Sequence, residues 1–133
     1  MRGPKVYIHF PGNAREALNF YAQIFGGELA LYTRQEFNRT DGDPQGIAHG
    51  ELNGVVCLGG ADASAGDQPL RAEGMMLSLL GTDEPAVLRE WFEKLGVGGE
   101  VIDPLSAKPW NATDGQVRDR YGVHWLIGFE PEN

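Results

Sequence analysis

The chain has 133 residues, 41% of them hydrophobic, and a net charge of −8 from 11 basic and 19 acidic side chains. That length suits one ordinary domain, is short for two independent ones, and carries enough apolar residues for a real core. The acidic balance argues against a general nucleic-acid partner or an anionic membrane surface, both of which call for Lys and Arg, and it would suit a cationic ligand.

The opening "MRGPKVYIHF" lacks the long apolar stretch and small-residue cleavage site of a secretory signal, and no later segment is long and apolar enough to span a bilayer. "KVYIHF" instead reads as a first strand. In "GNAREALNFYAQIFGGEL" (12–29), Ala14, Ala17, Leu18, Tyr21, Ile24 and Phe25 fall at helical spacing and form one apolar stripe. Asn13 and Glu16 are spaced as a capping box in its looser Asn form, and Gly26 and Gly27 end the helix. "ELALYTRQE" follows as a strand, then the polar loop 38–46.

"AHGELNGVVCLGG" predicts two strands around Asn53-Gly54, a strong hairpin signal. Cys57, the single cysteine, lies in apolar "VVCL" and reads as a buried, inert thiol. One cysteine excludes an internal disulfide and fits a reducing, cytoplasmic setting. A polar loop over 61–73 leads to the strand "MMLSLL". The next helix starts at Thr82, Asp83 and Pro85, carries Val87, Leu88, Trp91 and Leu95 on its apolar stripe, and ends at Gly96. The strands "EVIDPL" and "QVRDRYGVHWLIG" complete the chain.

The second half therefore echoes the first. Leu18, Tyr21, Phe25 and Gly26 match Leu88, Trp91, Leu95 and Gly96 at an offset of 70, and Gly54 matches Gly122 at an offset of 68. Each half reads as strand, helix and three strands, giving two modules, 1–61 and 72–133, joined by 62–71 within one domain. A half of this size cannot close its own core and must pack on its twin or on a partner chain.

"FPGNAREALNFYAQIFGGEL", "IAHGEL" and "PWNATDGQVRDRYGVHWLI" resemble the vicinal oxygen chelate superfamily of glyoxalase I, bleomycin-resistance proteins and extradiol dioxygenases, and within it the PhnB-like branch. The resemblance covers nearly the whole chain. It implies an α+β fold of paired βαβββ modules, a mixed sheet curled around a cavity, and a homodimer. Glyoxalase-type members hold a divalent metal with four side chains. Those places fall on Val6, near Glu51, on Met75 and on Leu126, and three of the four cannot ligate such an ion. Neither a metal nor any other cofactor is expected.

Among the three histidines, His9 alternates with Val6, Ile8 and Phe10 and reads as structural, and His124 sits among large apolar residues and reads as packing. His49 shares strand parity with Glu51, so both side chains point one way, along a strand that the resemblance puts on the cavity. The pair is a candidate for proton transfer, a polar contact for a ligand, or a solvated pair. Trp110, in the polar loop "KPWNATDG", needs a ligand or a partner subunit to cover. Trp110 and Trp125 are the aromatic candidates for ligand contact beside His49 and Glu51. Arg118, Asp119 and Arg120 read as a solvated strand edge with salt bridges.

"VCLGG", "MMLSLL" and "HWLIGF" are apolar at both strand parities, which points to a largely apolar pocket with few polar groups. There is no G-x-S-x-G or Cys–His signature, and "GVGGEV" follows a helix and enters a strand, the reverse of a dinucleotide loop. The sequence points to a protein that binds a small, partly apolar organic molecule. Two classes of function stay open: sequestration without chemistry, as in bleomycin-resistance proteins, and an enzyme using His49 and Glu51.

Overall fold

The computed structural model describes residues 4–131. The chain divides into two compact units between Leu70 and Arg71. The first runs β1 (Val6–Phe10), α1 (Ala14–Phe25), β2 (Glu28–Thr33), β3 (Ile47–Asn53) and β4 (Leu58–Asp62). The second runs β5 (Leu77–Leu80), α2 (Pro85–Gly96), β6 (Glu100–Ala107), β7 (Thr113–Arg118) and β8 (His124–Phe129). Each unit has one mixed four-stranded sheet, ordered β1-β4-β3-β2 and β5-β8-β7-β6, with its first and last strands parallel. Counted within units the two orders are identical. The echo in sequence is a repeat of topology, and the fold is α+β with two βαβββ units.

Each helix covers one face of its own sheet. All six apolar residues of the α1 stripe are buried, against Ile8 and Phe10 of β1, Leu52 of β3 and Leu58 of β4. On α2 the buried set is Leu88, Trp91, Phe92 and Leu95, with Trp125, Ile127 and Val117 on the sheet beneath. Truncating one of these large side chains to Ala would cost about 2–5 kcal/mol. Among the described residues, no helix is long and apolar enough to cross a membrane.

Helix α1 is not capped as the sequence suggests. The Asn13 side chain makes no capping bond, and its buried amide oxygen has no partner among the described residues. The cap comes from the end of β4, where Asp62 Oδ1 accepts from Ala14 N–H at 2.8 Å and Oδ2 from Ile47 N–H at 2.8 Å. One buried carboxylate thus ties the helix start, β3 and β4 together, and the favourable meeting of anion and helix N-terminus adds to the bonds. Nearby, the buried Arg34 guanidinium donates to the carbonyls of Asp43, Asp62 and Ala63 and closes the 38–46 loop over itself.

Several turns also differ from expectation. Gly26, in the left-handed region at φ 72°, ends α1, but α2 runs through Gly96, and it is Gly98 that turns left-handed at φ 75°. Residues 54–57 form a four-residue connection, not a two-residue hairpin, and in it Gly54 lies against Gly27, where a Cβ would stand 2.9 Å from the Gly27 Cα. That close approach is the reason for glycine there. Cys57, on this connection, is exposed and not buried as expected.

Asp119 is buried, not a solvated edge. Its Oδ1 accepts from Tyr121 and Val123 N–H and its Oδ2 from the Trp125 indole at 2.8 Å. Arg118 and Arg120 donate to the carbonyls of Ala72 and Val97.

Candidate functional site

Because α1 buries one face of the first sheet, strand parity assigns the other face to Tyr7 and His9 of β1, His49 and Glu51 of β3, and Tyr32 of β2. In register, Tyr7 lies across Gly59 from Glu51, and His49 is paired with Tyr32. Gly59 lets the Tyr7 ring lie flat over β4 and reach β3.

The result is a row of stacked rings. Tyr7 and His49 stack with centroids 5.7 Å apart, His49 and Tyr32 at 6.2 Å, and Tyr32 and Phe37 at 5.4 Å. His9 meets Tyr7 edge-on at 6.0 Å. Polar contacts run along the same row. Tyr7 Oη lies 3.0 Å from His49 Nδ1, and His49 Nε2 lies 3.2 Å from Glu51 Oε1. Tyr7, Tyr32 and Phe37 are each exposed beyond a third of their surface, a concentration of aromatic area that a sheet face ordinarily covers.

Partial burial raises the Tyr7 phenol pKa above its ordinary value; Arg39 pulls it down and Glu51 pushes it further up. Arg39 is held by Asp41, whose carboxyl lies well below the usual range because of its bonds to Arg39 and then Ser64. The phenol is thus neutral at physiological pH, flanked by an imidazole, a carboxylate and a guanidinium.

Among the described residues the second unit has no matching polar row. Its open face carries Gln116, His124 and Leu126, with His124 Nε2 2.9 Å from Gln116 Oε1. Burial, then Arg118, lowers the His124 pKa. Trp110, 66% exposed, borders a cavity of about 230 Å³ with Leu80, Thr113, Asp114, Phe129 and Glu130. Trp125 is only 1% exposed and belongs to the helix side of its sheet.

Of the residues singled out in the sequence, His49 and Glu51 therefore meet, Trp110 lines a separate cavity, and Trp125 is core. Tyr7, Tyr32 and Phe37 were missed. The alternation Tyr7, His9 against Ile8, Phe10 carried the signal for the first. The inherited metal place at Val6 had assigned the wrong parity, since Glu51 shares its face with Tyr7. Met75, 72% exposed, precedes β5 altogether. Among the described residues no three His, Cys, Asp or Glu side chains gather as a group that could hold a metal ion.

The model of the Glyoxalase/Bleomycin resistance protein/Dioxygenase superfamily matches residues 7–127. The chain belongs to that superfamily. Among solved structures, this glyoxalase-superfamily chain is similar to protein PA1353 from Pseudomonas aeruginosa, at 30% identity and a TM-score of 0.82 over 99% of this chain and 100% of the other. It also resembles the PhnB protein from Bacillus cereus, at 23% identity and a TM-score of 0.76 over 96% and 99% of the two chains. Protein YjdN of Escherichia coli (strain K12) is 24% identical over 91% of this chain and 90% of its own. The PhnB likeness is one of fold.

Proposed function

We propose that the protein binds a small, partly apolar organic molecule on the open face of its first sheet, without a metal held by the superfamily's four side chains. The observation that carries this reading is the exposed row Tyr7, His49, Tyr32 and Phe37, with Glu51 at its edge. Flat rings offer stacking area to a planar ligand, and Glu51 within an acidic chain suits a cationic or hydrogen-donating group.

The cavity beside Tyr7, Glu51 and Gly59 is only about 70 Å³, far below the several hundred that enclose an organic ligand. Something must complete it. A second copy of the chain is the simplest cover, and twofold pairing is the commonest form of such assembly. The reading is therefore of a homodimer, in a cytoplasmic setting that suits its single free thiol.

The contact between His49 and Glu51 also supports a second reading, an enzyme in which this pair moves a proton. Native mass spectrometry with elemental analysis of the purified protein tests the main one. The expected result is a dimer that carries organic mass in substoichiometric or full amount and no tightly held transition metal. One metal per chain would overturn it.

A further inference from the structure

The polar row on the first sheet fixes which atom meets the ligand. Glu51, as a carboxylate, only accepts hydrogen bonds, so the His49 nitrogen beside it, Nε2 at 3.2 Å, must carry the hydrogen. A neutral imidazole has one N–H. Nδ1 is then the bare nitrogen, and the Tyr7 hydroxyl 3.0 Å away must donate to it. Both ring nitrogens of His49 are thereby occupied, and in the row its ring lies between those of Tyr7 and Tyr32. At the Tyr7 end of the row the free capacity lies in the lone pairs of Tyr7 Oη.

We infer that Tyr7 is the specificity-determining residue of this face: its hydroxyl, committed to His49, offers the ligand only acceptor lone pairs and so selects molecules that bring an O–H or N–H donor. The inference rests on the proposed ligand site and says which chemistry that site prefers. His49 is the positioning residue for this hydrogen bond: Glu51 fixes its tautomer, and its bare Nδ1 sets the direction of the Tyr7 hydroxyl. The groups facing His49 are Tyr7 from β1, Tyr32 from β2 and Glu51 from β3, with His9 against the Tyr7 ring and Arg39 near the phenol. No other carboxylate contact with its ring competes for the tautomer among the described residues.

The test has two readouts, taken at about pH 8, where an imidazole is ordinarily neutral. Nitrogen-15 NMR of His49 should show the Nε2–H tautomer, and Tyr7→Phe should shift the Nδ1 resonance toward that of a free lone pair. An Nδ1–H tautomer overturns the inference. Phenol and anisole are then titrated while the amides of β1, β3 and β4 are followed. Phenol should bind about threefold to tenfold tighter than anisole, the worth of one ordinary hydrogen bond, and Tyr7→Phe should abolish the preference. A preference unchanged in Tyr7→Phe, or absent in the native protein, also overturns it. If neither probe perturbs these amides, the ligand-site reading fails, and with it the selectivity; the tautomer measurement separately decides the direction of the Tyr7 hydroxyl.

Discussion

Gly59 lies directly beneath the ring of Tyr7: a Cβ at position 59 would stand 2.7 Å from Tyr7 Cδ2. The strand backbone at Gly59 is not left-handed, so alanine fits its conformation, and the only thing that must move is the aromatic ring. Gly59→Ala should leave the fold intact, at a cost within the roughly 1–3 kcal/mol of a tight overpacking, while displacing Tyr7 from His49. Circular dichroism checks the fold, and the His49 ring resonances report the lost contact.

Asp62 gives a prediction about stability. It accepts from two backbone N–H groups that belong to different elements, and it is buried. Asp62→Ala leaves both donors without the carboxylate and removes the cap of α1, so urea unfolding should show a loss of roughly 2–4 kcal/mol. Asn13→Ala, by contrast, should cost little, since the Asn13 side chain makes no capping bond.

Much of this architecture was legible in the sequence. The helix stripes, the glycines after α1 and the spaced repeats are local signals, and they led to the correct order of elements. The caps and the site were less legible because they join distant residues. Asn13 stands where a cap belongs, yet it is Asp62, 48 positions beyond Ala14, that accepts from the Ala14 N–H. Asp119 looked like one charge in an alternating surface run until the fold brought the Trp125 indole to it. The His49–Glu51 contact was readable because two residues on one strand share a face whatever lies around them. Tyr7 and Tyr32 come to that face from other strands, and only the strand order β1-β4-β3-β2 sets them in one row.

His124 supplies a pH dependence. Its pKa is lowered in the folded protein, by burial first and then by Arg118, so the folded state resists protonation. Above about pH 6.5 the imidazole is neutral whether folded or not and contributes nothing to the slope. As pH falls through that value the unfolded chain takes up the proton first, and stability is lost progressively toward the lower folded pKa. His124→Gln should flatten that part of the curve when unfolding free energy is followed against pH.

Trp110 tests the assembly. Its ring is 66% exposed beside Leu80 and Phe129, so the fold does not depend on it. Trp110→Ala should unfold at nearly the same urea concentration as the parent protein while weakening the dimer. Sedimentation equilibrium at micromolar concentration reads the dimer. A parent protein that is monomeric there, or a dimer unmoved by the substitution, would count against that role.

In the proposed function, the open face of the first sheet holds the ligand. The most direct measurement is a crystal structure of the protein with its co-purified molecule, or with phenol, bound. The expected result is a ring stacked on the Tyr7, His49 and Tyr32 row with a donor directed at Tyr7 Oη. A molecule seated elsewhere, or bound to a metal ion that protein side chains hold, would contradict the account.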